Sequence, residues 1–173
     1  PMAAIVSCMD SRTSAELIFD QGLGDIFSIR LAGAVIDDNV LGSLEYACKV
    51  AGSKFIVVLG HTKCGAISGA CDSVELGNLT SLLNKITPAV FADKTIKEDR
   101  NSKNSNFVEA VNNIHVERSV QAIVEQSNIL RDMLLKGEIG IVGAIYDVEA
   151  GIVSFLDHTL ILEGDEAAVA VAS

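Results

Sequence analysis

Apolar and polar positions along the chain are grouped in blocks that predict strands and helices in alternation. Three short apolar runs, at 3–7, 26–31 and 55–59, have the length and the bounding residues of strands. The third run is apolar at every position, which indicates a strand buried on both faces, as in a parallel sheet between layers of helices. Blocks with helical spacing or helix-capping residues follow these runs, at 15–19, 40–51, 64–71, 79–90 and 106–136.

The last part of the pattern predicts a hairpin. Residues 139–147 and 152–156 alternate between apolar and polar positions, and the turn signal Glu149-Ala-Gly151 lies between them. Together with the preceding alternation, this predicts an α/β fold with a central, mostly parallel sheet flanked by helices and one antiparallel edge strand. We expect a single domain over 1–164, a polar, solvated connection over 93–106 and a flexible tail over 165–173.

Composition narrows the class of protein. The 173 residues are 49% hydrophobic, which is enough apolar material for one buried core and excludes general disorder. Lys and Arg number 13 against 23 Asp and Glu, and the formal charge of -10 leaves no basic surface for phosphates. The longest apolar runs fall well short of the roughly 20 residues that a membrane-spanning helix needs. We therefore expect neither a nucleic acid nor a membrane as partner.

The cysteines and the start of the chain bear on the compartment. Four cysteines are few for a chain of this length, and metal ligands or core thiols explain them better than disulfides. No basic segment followed by an apolar stretch and a cleavage site opens the sequence, so we expect a cytoplasmic protein. The chain begins at Pro1 and enters a predicted strand at once, from which we also expect that a further segment precedes it.

Two motifs carry ligand chemistry at predicted strand ends. Cys8 follows the first strand, and His61 and Cys64 follow the third. Ligands gather beyond the carboxyl ends of parallel strands, so the three side chains meet if these strands are neighbours. Two thiolates and one imidazole suit a tetrahedral Zn²⁺, and three protein ligands leave a fourth position open, which is the pattern of a catalytic zinc.

Asp10 and Arg12 come directly after the first ligand. A carboxylate and a guanidinium at this spacing form a charge-assisted pair that keeps Asp10 ionised and oriented. Asp10 would then either accept a hydrogen bond from water on the zinc or bind the metal itself. Zinc lowers the pKa of its water to about 7, so the expected reaction is attack of hydroxide on a small electrophile.

These residues resemble the signature of the β-class carbonic anhydrases. The resemblance rests on Cys8-x-Asp10-x-Arg12 and His61-x-x-Cys64-Gly65, and it extends over 3–70 and 141–148. It implies the fold of that family, one Zn²⁺ per subunit on the two cysteines and the histidine, and an Asp10–Arg12 catalytic dyad. It further implies a lyase in which zinc-bound hydroxide converts carbon dioxide reversibly to bicarbonate and a proton.

The resemblance also implies a shared substrate pocket. Phe27, Tyr46 and Gly65 match family positions around a narrow apolar pocket, part of which comes from a neighbouring subunit. Members of the family are dimers or larger homo-oligomers, so we expect at least a homodimer. In some relatives the equivalent of Asp10 leaves its arginine and takes the fourth zinc position, which closes the site. In others water stays bound there and the site is open. The residues present here permit both arrangements.

The sequence departs from the family in two respects. Many relatives have Arg-x-Ala-Gly-Asn after the second strand, whereas this chain has Arg30-Leu-Ala-Gly33-Ala34 and lacks that side-chain amide. The family's helical arm, which precedes the first strand and wraps around the partner, is absent from the sequence, as is a glutamine that this segment supplies in many members.

Other interpretations of the same residues stay open at this stage. The ligand set could be core thiols with a hydrogen-bonded histidine, the Asp10–Arg12 pair a surface ion pair, and the two aromatic residues part of the core. Among enzymes, the rival function is hydrolysis of carbon disulfide or carbonyl sulfide. From another class comes a zinc-binding but inactive oligomerisation or regulatory module. Cys48, in an apolar helix pattern, and Cys71, at a helix end, are expected to be packing residues. His115 and His158 lack ligand partners at suitable spacing, so surface or core roles are expected for them.

Overall fold

A computed structural model describes residues 1–162 as one sheet with helices on both faces. The predicted domain limit at 164 and the tail 165–173 lie outside the described residues. The strands are β1 (Ala3–Ser7), β2 (Ile26–Arg30), β3 (Phe55–His61), β4 (Gly140–Asp147) and β5 (Ile152–Ile161). The α-helices are α1 (Ala15–Ile18), α2 (Asp38–Glu45), α3 (Gly65–Cys71), α4 (Gly77–Leu83), α5 (Thr87–Ala92), α6 (Ser105–Gln126) and α7 (Asn128–Leu135). None of these helices is both long enough and apolar enough to cross a membrane.

The sheet confirms the predicted fold class. Its strand order is β2-β1-β3-β4-β5, with parallel pairing throughout except for the antiparallel hairpin of β4 and β5. β1 lies between β2 and β3, and its last residue, Ser7, is in register with Arg30 of β2 and Leu59 of β3. The carboxyl ends of the three strands therefore meet at one edge, where the sequence motifs begin.

Helix α6 packs closely on the sheet because glycines leave room for it. A Cβ atom added at Gly60 would lie 2.7 Å from the Val116 side chain and 2.9 Å from that of Ile145. A Cβ atom added at Gly143 would also lie 2.7 Å from Val116. The two glycines, one on β3 and one on β4, thus accommodate Val116 and bring α6 within reach of the residues beside Gly60.

The substitution Gly60→Ala is expected to lower the free energy of unfolding by about 2 kcal/mol, because overpacking a filled core forces side chains from their rotamers. Urea denaturation of the purified protein measures this loss. In combination with Val116→Ala, which removes the nearest contact, the loss should be smaller than the sum of the two single losses. Equal stability of Gly60→Ala and the unchanged chain would contradict this account of the packing.

The prediction of one helix over 106–136 was wrong, because Ser127 divides it into α6 and α7. Ser127 has extended backbone angles, φ -112° and ψ 103°. Its hydroxyl accepts a hydrogen bond from the Leu130 amide and donates one to a Glu45 carboxylate oxygen at 2.6 Å. The break thus combines a local helix cap with a tertiary contact to α2, and the periodicity of the sequence carries no sign of that contact.

Three further boundaries differ from the prediction. The block 79–90 forms two helices, α4 and α5, and Pro88, which has no amide hydrogen with which to continue the first helix, lies in the first turn of the second. The predicted helix over 40–51 consists of α2 and a π-helical turn, Tyr46–Val50. Strand β5 continues past 156 to Ile161 across an irregularity in its register, where the Thr159 hydroxyl accepts a hydrogen bond from the Gly143 amide at 2.8 Å.

The connection 93–106, predicted to be solvated, is anchored by a buried carboxylate. Asp93 is only 2% exposed, and its side chain accepts hydrogen bonds from Thr95, from the Ile96 amide and from Arg100 at 2.8 Å. The Arg100 guanidinium also lies over the ring of Phe107, 4.5 Å from its centre. Most of the segment is exposed, as predicted, but this cluster holds its two ends against the core.

Stability should therefore depend on Asp93 and on pH. Burial raises the pKa of Asp93, but its hydrogen bonds outweigh burial and lower that pKa from 3.8 to about 2. The stabilisation is thus complete above about pH 4 and is lost as the pH falls toward 2. We expect Asp93→Asn to cost about 2 kcal/mol at pH 7, with a smaller difference at acid pH. Urea denaturation over this pH range tests it, with the exposed Glu98→Gln as control; a pH-independent difference would contradict it.

Candidate metal centre and dyad

Three potential ligands converge where β1 and β3 end. Cys8 follows β1, His61 is the last residue of β3, and Cys64 is the residue before helix α3. The two sulfur atoms are 4.0 Å apart although 56 positions separate the residues, and the ligand atoms of all three side chains lie within 4.8 Å of one another. All three residues are buried, so the structure brings together the whole predicted ligand set.

The histidine is oriented for coordination. Its Nδ1 lies 2.9 Å from the carbonyl oxygen of Thr62, which can only accept, so Nδ1 carries the proton. Its Nε2 therefore has a free lone pair, and this buried atom has no hydrogen-bond partner among the described residues. An orphaned imidazole nitrogen beside two thiols fits a zinc ion, which takes nitrogen and sulfur ligands.

The two thiols differ in their readiness to ionise. The neighbouring Cys64 sulfur lowers the pKa of Cys8, against the opposing effect of burial. The same contact, together with burial, raises the pKa of Cys64. This is the behaviour expected of two sulfur atoms that share one proton, and a bound cation would favour loss of that proton as well.

Asp10 and Arg12 form the predicted pair beside the ligands. The Arg12 Nε and Nη2 atoms donate to the two carboxylate oxygens of Asp10 at 2.9 and 2.7 Å, and the Arg12 amide donates to the same carboxylate at 3.0 Å. This side-chain pairing holds the pKa of Asp10 well below its usual range. Asp10 therefore stays ionised, and both of its carboxylate oxygens are paired with Arg12 in this structure.

Arg30 and the turn after β2 also support the site, a role that the motif pattern did not reveal. The Arg30 side chain donates to the carbonyl oxygens of Cys8 at 3.2 Å and Asp10 at 2.6 Å. The Gly33 amide donates to the Cys8 sulfur at 3.4 Å. Gly33 and Ala34 both have positive φ, 68° and 51°. Asparagine tolerates a positive φ better than alanine does. Ala34, which stands where many relatives have asparagine, thus keeps a backbone conformation that suits asparagine better.

The aromatic residues predicted for the substrate pocket lie elsewhere in the single chain. Phe27 and Tyr46 contact each other edge to face, with ring centres 6.1 Å apart, and line a groove with residues of β2 and α2. Tyr46, at the start of the π-helical turn, is 56% exposed. Gly65, in contrast, directly follows Cys64 as the first residue of α3 and has open space where a Cβ atom would be.

A cavity of about 370 Å³ borders the ligands His61 and Cys64. Lys63 and Glu149 form an ion pair at its wall and connect the ligand loop to the β4–β5 hairpin. The Thr62 hydroxyl accepts from the Val148 amide at 3.0 Å and makes a second connection to the same hairpin. Phe27 and Tyr46 are not among the residues that line this cavity.

Comparison with known protein sequences finds carbonic anhydrases, both by family model and by single relatives. The family model described as carbonic anhydrase matches residues 3–153. Carbonic anhydrase 2 of Mycobacterium tuberculosis is 37% identical over 163 residues, covering 91% of this chain and 75% of that protein.

Solved structures agree with the sequence comparison. The β-carbonic anhydrase CafA of Aspergillus fumigatus is similar with a TM-score of 0.82 and 26% identity, over 99% of this chain and 81% of that one. A structure from a study of two tetrameric β-carbonic anhydrases of Sordaria macrospora has a TM-score of 0.80 at 22% identity, over 90% and 80% of the chains, and shows the same fold.

Proposed function

The chain belongs to the β-carbonic anhydrase family, whose reaction is the reversible hydration of carbon dioxide, and we propose that it performs this reaction on a zinc ion held by Cys8, His61 and Cys64. The observation that carries the assignment is the convergence of two sulfurs and an unpartnered imidazole nitrogen within 4.8 Å. Zinc bound there supplies a Lewis acid that makes water nucleophilic at neutral pH.

The residues around the metal have separate tasks in this proposal. Cys8, His61 and Cys64 would hold the ion, and their burial would keep bulk water away from the ligand atoms. Asp10 accepts a hydrogen bond from the reacting water through a carboxylate oxygen and orients it toward carbon dioxide. Arg12 keeps Asp10 ionised and fixed, and Arg30 holds the backbone of both Cys8 and Asp10.

A direct test combines metal analysis with substrate comparison. We expect one zinc per chain by atomic absorption, and rapid hydration of carbon dioxide in a stopped-flow assay of the same preparation. Carbon disulfide and carbonyl sulfide serve as competing substrates. Stoichiometric zinc without hydration of carbon dioxide would contradict the proposed activity, and turnover of the sulfur compounds alone would assign the site to that hydrolysis.

We further propose that the active form is at least a homodimer, in which Phe27 and Tyr46 of one subunit complete the substrate pocket of the other. This is supported by the resemblance at these two positions, by their separation from the ligands in the single chain, and by the exposure of the Tyr46 ring. The exposed Tyr46 ring, beside the half-buried Phe27, also offers part of the apolar area that a stable interface buries.

Tyr46→Ala is expected to lower kcat/KM for carbon dioxide about 10- to 100-fold while zinc stays bound, because the pocket loses an apolar wall. Co-expression with a zinc-free Cys64→Ser chain should restore part of the activity, since each hybrid dimer then contains one site with both zinc and a tyrosine. Hybrid dimers, separated by a tag on one chain, without restored activity would contradict the shared pocket.

A cytoplasmic location is proposed from the state of the cysteines. All four are free thiols in the structure and all four are buried, and buried reduced cysteines suit a reducing compartment. Fractionation of the source cells, followed by immunodetection with an antibody to the chain, tests this proposal.

A further inference from the structure

Two buried polar side chains of α6 contact the backbone around the ligands, one at the ligand His61 and one at Gly33, whose amide contacts the sulfur of the ligand Cys8. The Asn112 side-chain amide donates to the carbonyl oxygen of His61 at 3.0 Å. One turn further on, the His115 Nε2 atom lies 2.8 Å from the carbonyl oxygen of Gly33. Neither contact is local, since 51 positions separate Asn112 from His61 and 82 separate His115 from Gly33.

The His115 contact leads directly to a ligand atom. Gly33 accepts from His115 through its carbonyl and donates through its amide to the Cys8 sulfur at 3.4 Å. The positive φ of Gly33 sets the direction of that amide, and a Cβ atom there would lie 2.7 Å from Ile86. Gly33 has no side chain that could anchor it. The hydrogen bond from His115 to its carbonyl oxygen therefore holds it in place.

The protonation of His115 agrees with this role. Burial lowers the pKa of His115, so its ring is neutral at pH 7. A carbonyl oxygen can only accept, which places the single ring proton on Nε2. A buried side chain of His115 or Asn112 without a hydrogen-bond partner would lower the stability of the folded chain. The two hydrogen bonds are therefore maintained, and they fix the carbonyl oxygens of Gly33 and His61 relative to α6.

We propose that Asn112 and His115 are positioning residues for the metal centre: Asn112 fixes the end of β3 that presents His61, and His115 fixes the turn whose amide supports the Cys8 sulfur. The inference rests on the proposed role of these residues as zinc ligands. It adds α6, which supplies no ligand to the proposed site, as the element that sets the ligand geometry. The close approach of α6 at Gly60 makes the Asn112 contact possible.

The experiment measures zinc affinity by competition with a chromophoric chelator, for the intact protein and four variants. Asn112→Leu and His115→Leu remove the donors and are expected to weaken zinc binding about 10- to 100-fold. His115→Gln, whose amide reaches the position of Nε2, should stay within about threefold of the unchanged chain. Ser119→Ala is the control, because Ser119 is buried one turn further along the same helix and, within the described residues, its side chain donates no hydrogen bond to His61 or Gly33.

A spectroscopic measurement separates positioning from packing. In the cobalt(II)-substituted protein, His115→Leu should shift the thiolate-to-metal absorption, whereas Ser119→Ala should leave it unchanged. If His115→Leu does not fold, His115→Asn replaces it, because the shorter asparagine side chain does not reach the Gly33 carbonyl. Weak zinc binding by His115→Asn together with tight zinc binding by His115→Gln supports the proposal.

The inference would be overturned if the Leu variants bound zinc as tightly as the unchanged chain and differed from it only in stability, or if Gln and Asn at 115 bound zinc equally well. A failure of the unchanged protein to bind zinc would have a different meaning, because it would refute the proposed function itself.

Discussion

Replacement of Cys64 by serine is expected to abolish tight zinc binding and to lower kcat/KM for carbon dioxide by at least about 1,000-fold. A serine hydroxyl is a poor ligand for zinc at neutral pH, so the metal would be left with two protein ligands. Metal-ion catalysis contributes several kcal/mol to such a reaction, and each 1.4 kcal/mol corresponds to a factor of ten in rate. Zinc content and stopped-flow hydration, measured on the same sample, test both parts of the expectation.

The same helix offers a matched control for this substitution. Cys71 lies at the other end of α3, is also buried, and burial raises the pKa of its thiol to about 11. Cys71→Ser removes one sulfur from the same element without touching the ligand set, and should retain zinc and activity. If Cys64→Ser keeps stoichiometric zinc and full activity, the proposed centre is wrong.

The second large effect is expected at Asp10. Asp10→Asn should lower kcat/KM about 100-fold with zinc content unchanged, which is the scale of a lost proton acceptor. The neutral amide has a single acceptor oxygen and an NH₂ group that opposes the donors of Arg12, so both the orientation and the charge beside the metal are lost. Arg12→Lys keeps the positive charge but not the two-point contact with Asp10. Its kcat/KM should therefore lie between that of the unchanged chain and that of Asp10→Asn.

Asp132→Asn provides the control for the change of charge, because it is the same substitution at an exposed position on α7. It should leave kcat/KM and zinc content unaltered. Loss of zinc in Asp10→Asn would assign Asp10 to metal binding instead, and unchanged kcat/KM with zinc retained would remove it from the proposed dyad.

Much of the fold was predictable because its signals are local. The continuous apolar run of β3 correctly indicated a strand buried between helices, and Glu149-Ala-Gly151 correctly marked the hairpin. Errors arose where a contact distant in sequence decides the outcome. The end of α6 depends on the hydrogen bond from Ser127 to Glu45, 82 positions away, and no window of sequence contains both residues.

The sequence by itself determined which side chains are available to the proposed centre. Cys8, Asp10 and Arg12 come directly after one apolar run, and His61 and Cys64 come directly after another, so both strands and both motifs can be recognised from adjacent residues. Only the tertiary structure decided how that centre is held. Parallel pairing of β1 and β3 brings the thiols to 4.0 Å. The packing of α6 against Gly60 places Asn112 at the carbonyl of His61 and His115 at the carbonyl of Gly33, whose amide contacts the Cys8 sulfur. The physical reason is that a buried hydrogen-bond donor must have an acceptor close to it in the folded chain. The position of the donor in the sequence does not indicate which carbonyl oxygen that acceptor will be.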